Sequence, residues 1–233
     1  GFVLRYIYGY DFAPSCAMIR GNAIEYGFSL YFKRKYKKLN SLIKKIYQYY
    51  DDNAYFSLES EEEKKKQRDM IEPMSILLFD KITKTNSTYL SYQANVKTEI
   101  LGIPFSGFTD FIFENDEEII VIDLKTTSQF RIRDSHIKQQ VIYKKALEEK
   151  FNKKVEVKLL YCTPKKCDFI EFDSSDPIHL KTIELNLINC ADTLDKCKSN
   201  NDVSSILIPD LSNWRWNYAS ADKLKARKEI WGI

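Results

Sequence analysis

Gly107-Phe-Thr-Asp110, then twelve residues, then Asp123-Leu-Lys125 is the stretch on which the reading of this chain turns. Between the two acids, Phe105 to Phe113 reads as a strand and Glu114-Asn-Asp-Glu117 as its hairpin loop. Ile119-Ile-Val-Ile-Asp-Leu124 reads as the returning strand. Five apolar residues in six suggest burial on both faces, the pattern of a central strand. Residues i and i+2 of a strand point to one face, so Asp123 and Lys125 look at the same spot. Asp110 is expected at the end of the neighbouring strand.

An acid at the end of so apolar a run needs a partner, because an unpaired buried carboxylate is costly. A divalent cation shared with Asp110 supplies one. Two carboxylates, a backbone carbonyl and waters make a hard-oxygen site suited to Mg²⁺ or Mn²⁺. Such a site activates water and stabilises charge at a phosphodiester. Lys125 would orient or deprotonate the water, or neutralise the pentavalent phosphate. Taken alone, D-x-K is equally the signature of a salt-bridged strand end, so the rest of the chain decides.

Three further features lie around it in order. Arg20-Gly21-Asn-Ala-Ile-Glu25 places an acid one turn after a glycine on an apolar helix. Thr126 and Thr127 follow Lys125 directly, with hydroxyls able to bond a phosphate. Gln139-Gln-Val-Ile-Tyr143 puts Gln139 and Tyr143 on one helix face at i and i+4.

With these four motifs the sequence resembles the PD-(D/E)xK nuclease superfamily, specifically its RecB-like and phage-exonuclease branches, over residues 14 to 165. Those proteins carry an R-G-x-x-x-[EH] helix, a G-x-x-D strand, a [DE]-x-K-T strand and a Q-x-x-x-Y helix. The resemblance implies metal ligation by Glu25, Asp110, Asp123 and the carbonyl of Leu124, catalysis assisted by Lys125, and active-site or DNA support from Gln139 and Tyr143. Many RecB-like relatives hold an iron–sulphur cluster on one early cysteine and three late ones. Here Cys16 matches the first, but Asn213 to Asp222 has no cysteine, and Cys190 and Cys197 sit too early. No cluster is expected. Glu25 stands where many relatives have histidine, which makes the site all-oxygen and closer to the lambda-type exonucleases.

Around this core, apolar residues recur at three-to-four spacing from Ala17 to Tyr50, predicting one long helix or two consecutive ones. A second helical block is predicted from Ser57 toward Asp80, with acids at its start. Strands begin after Asn86 with Thr88 to Leu101. Ile132 to Phe151 returns to helical spacing, Val155 to Cys162 and Asp168 to Phe172 are strand-like, and Leu180 to Leu194 is helical. The expected fold is α/β: a restriction-endonuclease-like core with a mixed central sheet flanked by helices. One domain is expected over 1–233, mainly helical to 86, with sheet and active site in 87–175 and a helical part in 176–233.

The whole chain constrains partners little. Net charge is +3 from 36 basic and 33 acidic residues, so distribution matters more than the total. Five scattered cysteines and two histidines offer no C-x-x-C or zinc-type set, which argues against a transition-metal site and for reduced thiols. No run of about 18 apolar residues and no signal-peptide order at the start point to a soluble, cytoplasmic protein of a bacterium or phage-infected cell, without a membrane partner.

His136 lies one turn before Gln139, within reach of a phosphate; with Arg20, Thr126 and Thr127 it completes the candidate DNA contacts. Trp214 and Trp216 flank Arg215, a set that stacks on single-stranded bases or pins a C-terminal helix to the core. The expected activity is Mg²⁺-dependent hydrolysis of DNA, as an exonuclease acting on linear double- or single-stranded ends in recombination, repair or phage DNA processing. The alternatives are a restriction- or junction-type endonuclease and a non-catalytic DNA-binding module of the same fold. An oligomer or a recombination partner protein is left open.

Overall fold

The computed structural model describes residues 13–36, 38–83, 87–197, 202–203, 205 and 221–232. Helices α1 (Cys16–Phe32), α2 (Leu39–Ala54), α3 (Glu61–Asp69) and α4 (Ile71–Ile82) precede the hairpin strands β1 (Thr88–Ile100), β2 (Ile103–Glu114) and β3 (Glu118–Thr126). Helix α5 (Asp134–Phe151) crosses over to β4 (Lys154–Cys162). Strand β5 (Cys167–Ile170) and helices α6 (Pro177–Lys196) and α7 (Ala221–Trp231) follow. Trp214, Arg215 and Trp216 lie outside the described residues.

The strands form one mixed sheet in the order β1-β2-β3-β4-β5. β1, β2 and β3 pair antiparallel, β3 and β4 parallel across the α5 connection, and β5 returns antiparallel on β4. β3 is therefore the middle strand, and its alternation explains the unbroken apolar run. Ile120, Ile122 and Leu124 pack with Ile24, Phe28, Leu42, Ile46, Met74 and Leu78 of α1, α2 and α4. Ile119 and Val121 pack on the other face with Tyr143, Ala146 and Leu147 of α5. A strand covered by helices on both sides has no face left for polar residues until it reaches its end, and Asp123 and Lys125 are at that end.

Local chemistry sets the helix starts. The Ser15 hydroxyl accepts from the Met18 amide to cap α1, and Ser60 caps α3 at Glu63, with three glutamates in that helix's first turn. Asp176 caps α6, with Pro177 opening it. The long helical stretch from Ala17 to Tyr50 resolves into two helices, interrupted where Arg34 takes a positive φ of 56° in the basic segment. The block from Ser57 to Asp80 also resolves into two, α3 and α4, meeting at Met70. Among the described residues no helix is long and apolar enough to cross a membrane.

Candidate active site

Asp110 differs from its expected position in an informative way. It lies inside β2, not at the strand's end; what ends beside it is the pairing. The β2–β3 ladder runs from Glu114↔Ile119 to Phe111↔Ile122 and stops. The next rung would set Asp110 against Asp123. Instead Asp110 Oδ2 accepts the Leu124 amide at 2.8 Å. A side-chain carboxylate thus replaces a ladder carbonyl, and two acids occupy the point where the strands part. Asp123 is 1% exposed. Neither of its oxygens has a well-aligned hydrogen bond, although Lys125 Nζ lies 2.6 Å from Oδ2.

Helix α1 delivers the third acid, and Arg20 and Gly21 explain how. The Arg20 guanidinium donates to the Thr126 carbonyl at 3.1 Å and is itself held by Gln67 Oε1 and by Met70 Sδ. A β-carbon at Gly21 would fall 3.0 Å from Thr126 Oγ1, so glycine lets the helix close on the end of β3 without displacing that hydroxyl. Glu25, one turn on, is then on the face turned toward the acids. Its Oε2 accepts from Gln93 Nε2 at 3.3 Å. Gln93 sits in β1 with φ of 52°, next to the residues that pair with Phe111 and Thr109. Arg20 is 1% exposed; it lines the cleft, and its hydrogen bonds are spent within the protein, clamping α1 to β3.

The electrostatics follow from crowding. Burial, reinforced by the Asp123 charge and opposed by Lys125, pushes the Glu25 carboxyl up to about 7. Burial, then Asp123 and Glu25, raises Asp110 well above the usual carboxylate range. For Lys125 burial works against the charged form, but Asp123, Asp110 and Glu25 outweigh it and its pKa is raised. Fully ionised, the three acids would carry more negative charge than one ammonium balances, and the raised pKa values express that crowding.

Helix α5 orients that ammonium. Lys125 Nζ donates to Gln139 Oε1 at 3.2 Å, Gln139 Nε2 donates to the Tyr143 hydroxyl at 2.7 Å, and Tyr143 donates to the Phe108 carbonyl at 2.6 Å. This chain fixes which end of the Gln139 amide meets the lysine. Gln139 and Tyr143 are thereby positioning residues, and Tyr143 lies against Gly107 of β2.

A cleft of about 520 Å³ opens over these groups, lined by Asn22 and Glu25 on one side and by Lys125, Ser128, Arg133 and His136 on the other. Thr126 and Thr127 also border it, though the Thr127 hydroxyl is turned to the Gln129 carbonyl. His136 Nδ1 lies 2.5 Å from the Tyr161 hydroxyl. Gln93, Gln67 and Tyr161 escaped the sequence reading. None belongs to a spaced motif, and only the fold brings each to its partner.

All four motifs thus meet at the end of β3. A family model of the PD-(D/E)XK nuclease superfamily matches residues 1–204. The chain belongs to that superfamily. No curated protein matches it. Among solved structures, a Eubacterium rectale protein provisionally named an exonuclease aligns with a TM-score of 0.55 at 14% identity, covering 81% of this chain and 71% of that one. The likeness supports the fold: a mixed sheet flanked by helices. A second structure, of a protein named SSO0001, aligns at 18% identity over 82% of this chain and 84% of its own, with a TM-score of 0.35, and carries no argument.

PD-(D/E)XK nucleases generally use divalent metals such as Mg²⁺ or Mn²⁺. Among the described residues no three His, Cys, Asp or Glu side chains are already gathered as a metal-holding cluster. The donors nonetheless suit a hard cation. Asp123 has a buried oxygen without a hydrogen-bonding partner, Asp110 adjoins it, and the rest of the set is oxygen only.

Proposed function

We propose that this protein is a DNA nuclease of the RecB-like or phage-exonuclease branch, hydrolysing phosphodiester bonds with Mg²⁺ or Mn²⁺ and acting from DNA ends. The observation that carries the reading is the juxtaposition of Asp110, Asp123 and Lys125 where β2 and β3 part, with Lys125 held by Gln139. A salt-bridged strand end requires the Asp123–Lys125 pair alone. It gives no reason for a second buried acid on the Leu124 amide, nor for a third acid on α1 (Glu25) raised to about 7.

In this reading Asp110, Asp123 and the Leu124 carbonyl would hold the metal, with Glu25 completing the oxygen set. The metal would supply Lewis-acid stabilisation of phosphate charge and an activated water. The chain's own residues supply the rest. Asp110, accepting the Leu124 amide, holds that residue with its N–H, and with it its own carbonyl, turned to the side of the acids. Lys125 places a positive charge where the attacking water and the phosphate oxygens come together. Gln139, fixed by Tyr143, stops the ammonium from collapsing wholly onto Asp123. The end preference rests on the resemblance to the exonuclease branches.

Incubation of the protein with end-labelled linear and with circular DNA, with and without Mg²⁺, tests this. Degradation of linear DNA alone is expected. Nicking of circles would make it an endonuclease, and binding without cleavage under any metal would make it a non-catalytic module.

A further inference from the structure

Facing α1 across the cleft, His136 is held by a buried phenol in a way that fixes its protonation. Tyr161 is fully buried. Its hydroxyl accepts the Arg133 backbone amide at 3.2 Å and lies 2.5 Å from His136 Nδ1. The phenol's own proton needs an acceptor, and among the described residues His136 Nδ1 is the one within reach. Nδ1 is therefore the accepting nitrogen, and the ring's proton sits on Nε2. Burial and the Lys125 charge both lower the His136 pKa, so the ring is a neutral donor near pH 7. Arg133 borders the same cleft and, among the described residues, forms no ion pair.

We propose that His136 and Arg133 form a subsite for a phosphate adjoining the scissile one, His136 donating from Nε2 to a non-bridging oxygen while Arg133 supplies charge. The subsite rests on the nuclease reading for the identity of its ligand, a nucleic-acid backbone. Two residues with different jobs meet there. A neutral imidazole locked in one tautomer gives direction, and a guanidinium gives charge and a fork of donors. Tyr161, inside the core, is a positioning residue: it touches no ligand and acts through the ring it orients. The arrangement also explains why the loop after β3 is anchored at Arg133, since one hydroxyl holds both the loop's end and the histidine.

Single methylphosphonates stepped along an oligonucleotide, each removing one phosphate charge, provide the test. Binding is read in Ca²⁺ and single-turnover cleavage in Mg²⁺, for wild type, His136→Ala, His136→Gln, Arg133→Ala and Tyr161→Phe. At one position next to the cleavage point, wild type should lose roughly ten- to a hundredfold in binding, the scale of a hydrogen bond to a charged group. His136→Ala and Arg133→Ala should each lose part of that on unmodified DNA, and each should then be less sensitive than wild type to modification at that position. His136→Gln, which keeps a donor, should recover part. Tyr161→Phe should weaken the same position alone, a selectivity that mere loss of packing would not show. Losses that add at every position, or a His136→Ala protein binding like wild type, overturn the subsite. Wild type that binds but never cleaves leaves the subsite judged by the binding arm and removes the nuclease reading instead; wild type that does not bind overturns both.

Discussion

A β-carbon at Gly107 would lie 2.9 Å from Cε1 of Tyr143 and 3.2 Å from its hydroxyl. The glycine of one motif is thus the seat of the tyrosine of another, and through Gln139 that tyrosine holds Lys125. Gly107→Ala should cost about 1–3 kcal/mol, the scale of overpacking, and should lower single-turnover cleavage further than the stability loss accounts for. Tyr143→Phe, which keeps the ring and drops the hydroxyl, should lose roughly tenfold in cleavage with little change in melting temperature, since a net hydrogen bond is worth about 1 kcal/mol. Wild-type rates in both variants would detach the Tyr143 chain from the chemistry.

Relief of crowding predicts how the acids respond to metal. Mn²⁺ or Mg²⁺ should raise the melting temperature, because it binds the folded acids and not the unfolded chain; about 2.7 kcal/mol is gained at a hundred times Kd. Asp110→Asn combined with Asp123→Asn should leave the metal-free protein no less stable and abolish the metal response. Thermal unfolding titrated with Mn²⁺ decides it, and severe destabilisation of the double variant would favour a purely structural ion pair.

The raised carboxyls give a pH dependence with a definite sign. Glu25 titrates near 7 when folded and near its ordinary 4.5 when unfolded, and Asp110 is shifted the same way. Between those values the folded state binds more protons than the unfolded one, so stability falls as pH rises. In chelator, the unfolding free energy should therefore decline from about pH 5 to pH 7 more steeply than in Glu25→Gln, measured by denaturant titration at each pH. Identical slopes would contradict the assigned shift.

Gln93 pays a backbone cost to reach Glu25. A non-glycine residue at φ of 52° costs about 1–2 kcal/mol, and such strain concentrates at functional positions. Gln93→Gly removes both the strain and the side chain. Stability should change by less than about 1 kcal/mol, since glycine's greater unfolded entropy offsets the relief, while the metal concentration for half-maximal thermal stabilisation should rise severalfold. No change in that midpoint would limit Gln93 to its strand.

What was legible in the sequence was whatever depends on short-range periodicity. β3 could be read as central because both of its faces are buried, and the four motifs could be read because each keeps a fixed local spacing. The sequence leaves one helix or two open from Ala17 to Tyr50, because α1 and α2 share an apolar period across the positive-φ turn at Arg34, and it does not show the break at Met70 between α3 and α4. Asp110 was placed at a strand end, because the sequence shows where a strand's character stops and not where its pairing stops. Arg20 reads from the sequence as a candidate DNA contact, and its burial against Gln67 and the Thr126 carbonyl is not legible there because it depends on segments far along the chain. Gln93 was unreadable for the same reason.

Lys125→Ala, compared with wild type in single-turnover cleavage with Mg²⁺ and in DNA binding with Ca²⁺, tests the central claim most directly. If the ammonium stabilises charge that develops only in the transition state, cleavage should fall by roughly a hundredfold or more. Binding should fall far less, because one phosphate contact among several changes the salt slope by only about one. Lys125→Arg should not rescue, since the larger planar guanidinium does not fit between Asp123 and Gln139 as an ammonium does. A Lys125→Ala protein that cleaves within a few-fold of wild type, or whose loss is wholly a loss of binding, would contradict the account.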